Sequence, residues 1–198
     1  MTDAGFTAAN LPTEGRGLRS TGWWGMLCLI ATEAILFAYL IFSYAYLGAQ
    51  SPGLWPPTGP PSMRLAGPDT IILLVSSFTL LWGVLAFERR RSTVALAVAL
   101  VVTLILGAIF VAIQGLEWRN KSFSFDSNSY SAIYFTLTGV HMAHVVFGLL
   151  ILAALFVWAL MGRLGGRHQH LTLGAYYWHF VDTVWIVVFI TIYLVPRL

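Results

Sequence analysis

Charge is what this 198-residue chain has least of: 10% of it is Asp, Glu, Lys or Arg, where a soluble domain carries about 25%. So few charges cannot cover a water-facing surface. With 58% hydrophobic residues and a mean hydropathy of +0.78, the chain reads as an integral membrane protein. Its net charge of +3 is small and spread over short loops, which gives nucleic-acid binding almost no support. The single cysteine, Cys28, permits no internal disulfide. A phosphate-binding glycine loop, a CxxC pair and a nucleophile–base arrangement are all missing. Residues 1–21 lack the apolar core and small-residue cleavage site of a secretory signal, so they read as an uncleaved tail.

Long apolar runs are what the chain has in their place. Five meet the ~20-residue requirement for a spanning helix: Gly22–Leu47, Asp69–Phe87, Thr93–Leu116, Ser131–Met161 and Ala175–Val195. They define an all-α membrane domain, residues 22–198, behind the tail. Ser51–Pro61 holds five prolines and two glycines, a stiff connection that excludes helix. Asn120–Ser129 reads as an interfacial loop. Arg16, Arg19, Arg89, Arg90, Arg91, Arg163 and Arg167 fall on one side of this topology. Arg64, Arg119, Lys121 and Arg197 fall on the other. The richer side is expected in the cytoplasm, with the N-terminus, and the C-terminus outside.

Polar groups at membrane depth are the candidate functional residues, because each unpaired one costs several kcal/mol. Glu33 stands about 16 Å inside the first run, either protonated or paired, and either packing or relaying something. His141 and His144, three apart, share a face of the fourth run at similar depth. The last run opens Tyr176-Tyr177-Trp178-His179-Phe180-Val181-Asp182-Thr183-Val184-Trp185. Trp178, Asp182 and Trp185 form a helical stripe there, beside His179. His179 and Asp182 are expected about 6–10 Å from the cytoplasmic side, at a different depth from His141. That leaves no three converging metal ligands and no bis-histidine haem pair. Glu117 is expected at the interface. Ser76, Ser77 and Thr79 are expected to serve packing.

These segments together resemble subunit III of the haem-copper terminal oxidases, most closely cytochrome c oxidase subunit III in its bacterial five-helix form. The resemblance rests on Thr32–Ala38, Leu74–Thr79, Gln114–Trp118, Thr138-Gly139-Val140-His141-Met142-Ala143-His144-Val145 and Tyr177–Trp185, in register on five helices. It implies a non-redox subunit of a complex that reduces oxygen to water and pumps protons. Haem and copper would lie in partner subunits, chiefly subunit I, with subunit II, small subunits or a supercomplex as further partners. The resemblance further implies a bacterial cytoplasmic membrane location, structural phospholipid, support of proton uptake and protection from turnover inactivation.

Carried over by position, Glu33 becomes the family's buried carboxylate, His141 and His144 its helix-4 pair, and Trp178, His179, Asp182 and Trp185 a face of its final helix. Arg163, Arg167, His168, Trp178 and Trp185 are expected to meet lipid. Thr172 stands where many members have an acid, and the histidines that often follow the second helix are missing after Trp82. Those departures keep a quinol oxidase subunit III, or a nitric oxide reductase accessory protein, as an alternative reading. A small proton-coupled transporter built on Glu33 is a third, which the lack of inverted repeats and broken helices opposes.

Overall fold

The computed structural model describes residues 21–51, 53, 55–57, 59–163 and 168–197, with the backbone alone at 168. Among these are five helices long and apolar enough to cross a bilayer, and no strand. They are α1 (Thr21–Gln50), α2 (Met63–Arg90), α3 (Thr93–Arg119), α4 (Ser129–Leu160) and α5 (His168–Phe189). The last continues through a π turn, Ile190–Leu194, and a 3-10 turn, Val195–Arg197.

Short polar residues set the helix starts. The Ser62 hydroxyl accepts from the Arg64 amide at 3.3 Å, and Ser92 accepts from Ala95 at 3.2 Å. Asn128 and Ser131 form a reciprocal capping box at α4. Because Ser62 caps so early, α2 begins at Met63 and takes Pro68 inside it. At its other end Arg91 adopts the left-handed conformation (φ 54) and its amide bonds the Phe87 carbonyl.

Likewise α5 begins at residue 168, seven residues ahead of the expected Ala175. Its first turns are held by packing: Leu171 is buried, and Gln169 and Leu173 lie against Gly22 at the start of α1. Two ends of the bundle follow from the loops. One carries the α2–α3 turn with Arg89–Arg91, the other the Trp55 loop and the α3–α4 loop.

The helices pack as α1 on α4 and α5, α2 on α3 and α5, and α3 on α4, with α4 also on α5; α1 and α2 make no substantial contact. Close approach is bought with glycine. A Cβ on Gly83 of α2 would lie 2.3 Å from that of Ala99 on α3. Gly107 of α3 and Gly148 of α4 form a slot for the Trp178 indole, which a Cβ would meet at 2.8 and 2.9 Å. Trp178 is fully buried there. At the Trp55 end, Trp55 turns back onto Gly48 and meets Tyr44 and Tyr130 edge-on. Arg197 reaches the Pro61 and Tyr193 carbonyls.

Candidate functional site

Glu33 and His144 meet. Glu33 lies twelve residues into α1 and His144 fifteen into α4 from the opposite end, so each is roughly 20 Å along its helix. The His144 Nε2 is 2.9 Å from Glu33 Oε2, and its Nδ1 is 2.7 Å from the Val140 carbonyl. That carbonyl can only accept, so Nδ1 carries a hydrogen. One further proton must then occupy the Nε2···Oε2 contact. It resides on Glu33, which donates to a neutral imidazole, or on His144, which donates to a carboxylate. Either way the pair is neutral overall, which suits a site at membrane depth. Phe37 packs edge-on to the His144 ring, and the Tyr177 hydroxyl reaches the His144 carbonyl at 3.4 Å. The pair is partly exposed and lines a groove of about 240 Å³ with Leu29, Phe147 and Tyr177.

His141, one turn away, is fully buried and does not join Glu33. Its Nε2 donates to the Val181 carbonyl on α5 at 3.2 Å, and its ring lies against Trp185 and Phe110. This corrects the expected depth of the last helix. Because α5 starts at residue 168, His179 lies eleven residues in, about 16 Å along the helix, and the α5 polar groups are near the level of His141. His179 Nδ1 is 2.6 Å from the Ser77 hydroxyl of α2. Asp182 is buried, with the Ser77 side chain as its neighbouring hydrogen-bonding group. Even with depths aligned, no three His, Cys, Asp or Glu side chains converge among the described residues.

Trp178 and Trp185 depart from the expectation that they meet lipid. Both are buried in protein. The Trp178 indole N–H donates to Ser76 Oγ at 3.1 Å, and that hydroxyl donates to the Leu73 carbonyl. The Trp185 N–H donates to Thr70 Oγ1 at 3.0 Å, which donates to the Ala66 carbonyl. An indole has one donor and a hydroxyl can accept while donating, so each contact is satisfied on both sides. Ser76 thus has the packing role expected of it, as does Thr79, 3.0 Å from Thr103 of α3. Of the expected basic rim, Arg163 is exposed at the Arg89–Arg91 end; Arg167 and the His168 side chain lie outside the described residues.

Glu117 lies two residues from the end of α3, where it was expected, and is also buried in protein. Its Oε1 accepts from Lys121 at 2.8 Å, Tyr193 at 2.6 Å and Tyr134 at 3.3 Å. Lys121 also stands over the Tyr134 ring. Glu117 Oε2, the Gln114 amide and both oxygens of Asp69 are buried without partners among the described residues. The Asp69 position was read only as a helix start. The signal that could have found this knot is spacing: Gln114, Glu117 and Lys121 fall at i, i+3 and i+7, one face of α3.

The family model for cytochrome c oxidase subunit III matches residues 3–196. A probable cytochrome c oxidase subunit 3 of Nocardia farcinica is 35% identical, with 86% of each chain covered. One from Mycobacterium leprae is 33% identical, again with 86% of each covered. The cytochrome c oxidase subunit 3 of Dugong dugon is 32% identical over 95% of this chain and 73% of its own. This five-helix membrane bundle, matched by that model over nearly its whole length, belongs to the cytochrome c oxidase subunit III family.

Proposed function

We propose that this chain is the non-redox third subunit of a bacterial respiratory cytochrome c oxidase. In that role it packs beside subunit I in the cytoplasmic membrane, N-terminus inside, supports proton uptake and protects the complex from inactivation during turnover. The observation that carries this reading is the Glu33–His144 bridge, an acid and an imidazole sharing a proton at membrane depth beside an open groove. Such a pair can pass its proton between partners without a change in net charge, while the dipole it presents to a neighbouring subunit switches between a neutral and an ion-pair form. The relatives, named as cytochrome c oxidase subunits, support cytochrome c as the donor. Arg163, with Arg167 and His168, is assigned to lipid phosphates at the inner rim.

The test is Glu33→Gln in the purified complex. A hydrophobic carbodiimide attacks protonated carboxyl groups in apolar surroundings, so labelling of this subunit should fall at least tenfold. The initial turnover per haem should stay within twofold of wild type, while the number of turnovers before inactivation falls severalfold. Unchanged labelling and an unchanged inactivation count would together remove Glu33 from the mechanism.

A further inference from the structure

Ser77 differs from the hydroxyls around it. Ser76 and Thr79 donate to carbonyls of their own helix, whereas the Ser77 hydroxyl reaches across to α5. Its Oγ lies 2.6 Å from His179 Nδ1, and its other hydrogen-bonding neighbour is the Asp182 carboxyl. His179 and Asp182 are three residues apart, on one face of α5, so a single hydroxyl from α2 stands between a base and an acid. All three line one groove of about 240 Å³. His179 also lines a second groove, of about 370 Å³, with Trp23 and Met26 of α1. Asp182 is 3% exposed and His179 is partly exposed. The acid is the closed end of this chain of contacts, and the imidazole is its open end.

Hydrogen-bond direction limits such a chain to two proton arrangements. A carboxylic acid donates, a hydroxyl donates once while accepting, and an imidazole nitrogen does one or the other. In the first arrangement the Asp182 O–H donates to Ser77, Ser77 donates to Nδ1, and Nε2 carries the ring hydrogen. In the second, Nδ1–H donates to Ser77, which donates to the Asp182 carboxylate. Passing from first to second breaks the Asp182 O–H bond as Ser77 gains that proton, and the former Ser77 proton forms the Nδ1–H bond. The imidazolium then releases its Nε2 proton to a water molecule in the wider groove, and uptake reverses each step. Other titratable groups near α5 are placed differently. Tyr176 lines the wider groove, His141 of α4 bonds the Val181 carbonyl, and Glu33 of α1 is held by His144.

We infer that Asp182, Ser77 and His179 form a hydroxyl-bridged proton relay, which stores one proton on a buried carboxyl group and exchanges it through His179 Nε2. The relay gives the proposed support of proton uptake a second site, separate from Glu33 and His144, and rests on that reading for its purpose alone.

The experiment uses the assembled complex in phospholipid vesicles, with infrared difference spectra recorded as pH is stepped. The Asp182 carboxyl band is the one missing from Asp182→Asn, and the His179 ring bands are those missing from His179→Gln. In wild type both should change with one midpoint, the ring passing from the Nε2–H to the Nδ1–H tautomer as the carboxyl group ionises. Ser77→Ala should separate the two midpoints and slow hydrogen–deuterium exchange of the Asp182 carboxyl about tenfold. Ser77→Thr, which keeps the hydroxyl, should restore both. A wild-type ring tautomer that stays fixed while the carboxyl group titrates overturns the relay, whether or not a variant assembles. So do coupling and exchange that survive Ser77→Ala, and so does a set of wild-type bands that Asp182→Asn leaves intact. None of these readouts involves Glu33, so the relay fails or stands separately from the labelling and inactivation counts of Glu33→Gln.

Discussion

α1 and α5 enter the same bundle and are held in it by different means. α5 buries Leu171, Tyr177, Trp178, Val181, Trp185 and Val188, and two indoles tie it to α2. α1, thirty residues long, buries only Phe37, Leu40 and Tyr44. Near its middle a side-chain bond joins it to another helix, Glu33 to His144. A lipid environment gives little hydrophobic drive for helix association, so shape and hydrogen bonds decide the outcome. One helix is fixed by shape and one is hinged on a shared proton. Substitutions on α5 should therefore act on the fold, and those on α1 on what the fold does.

Trp178→Ala is the strongest way to test that division. It empties the Gly107–Gly148 slot and should cost about 3–5 kcal/mol, read as a large drop in the thermal midpoint of the purified subunit. A drop no larger than that of Glu33→Gln would erase the contrast. Gly148→Ala attacks the same slot from the other side. Its Cβ would press on the Trp178 ring at 2.9 Å, with an expected loss of about 1–3 kcal/mol. A companion Trp178→Phe should recover part of it.

On α1, Glu33→Leu leaves the His144 Nε2 without its partner and should cost about 1–2 kcal/mol, reduced by partial exposure. Glu33→Gln keeps a donor for His144 Nε2 and should be nearly neutral in the same melt while losing the carbodiimide reaction. Thr70→Val, which removes the acceptor for Trp185, is expected to cost about 1 kcal/mol. In a double-mutant cycle its effect should vanish once Trp185 is Phe.

The smallest effect lies outside the bilayer. The Ser124 hydroxyl, and then Asp126's own amide, hold the Asp126 carboxyl below the ordinary carboxylate range. Because the folded state favours the charged form, its contribution is complete above that range and is lost as pH falls through the lowered value. The protection of amides in residues 124–127, measured against their intrinsic exchange at each pH, should fall in acid and do so less in Asp126→Asn.

Composition and run length made the membrane class and five helices legible, because hydrocarbon leaves few other solutions. The meeting of Glu33 and His144 was legible as shared depth. The starts of α2 and α5 were not, since Ser62 and Leu171 act through capping and packing that hydropathy does not register. That seven-residue error in α5 displaced His179 and Asp182 in depth. The two indoles were assigned to lipid, whereas Gly107 and Gly148, distant in sequence, make a protein slot for one of them and Thr70 supplies an acceptor for the other. The burial of Glu117 was not legible, because it depends on Tyr134 and Tyr193 arriving from two other helical segments.

The indole contacts are seven residues apart on α5 and six apart on α2. They act as two teeth of a rack, and a slip of α5 by one residue, about 1.5 Å and 100° of turn, would disengage both. The helix therefore cannot slide to suit a thinner or thicker bilayer. Any mismatch must be met by tilting the α2–α5 unit as a block, so the level of Asp182 and His179 is set against the protein and not against the lipid.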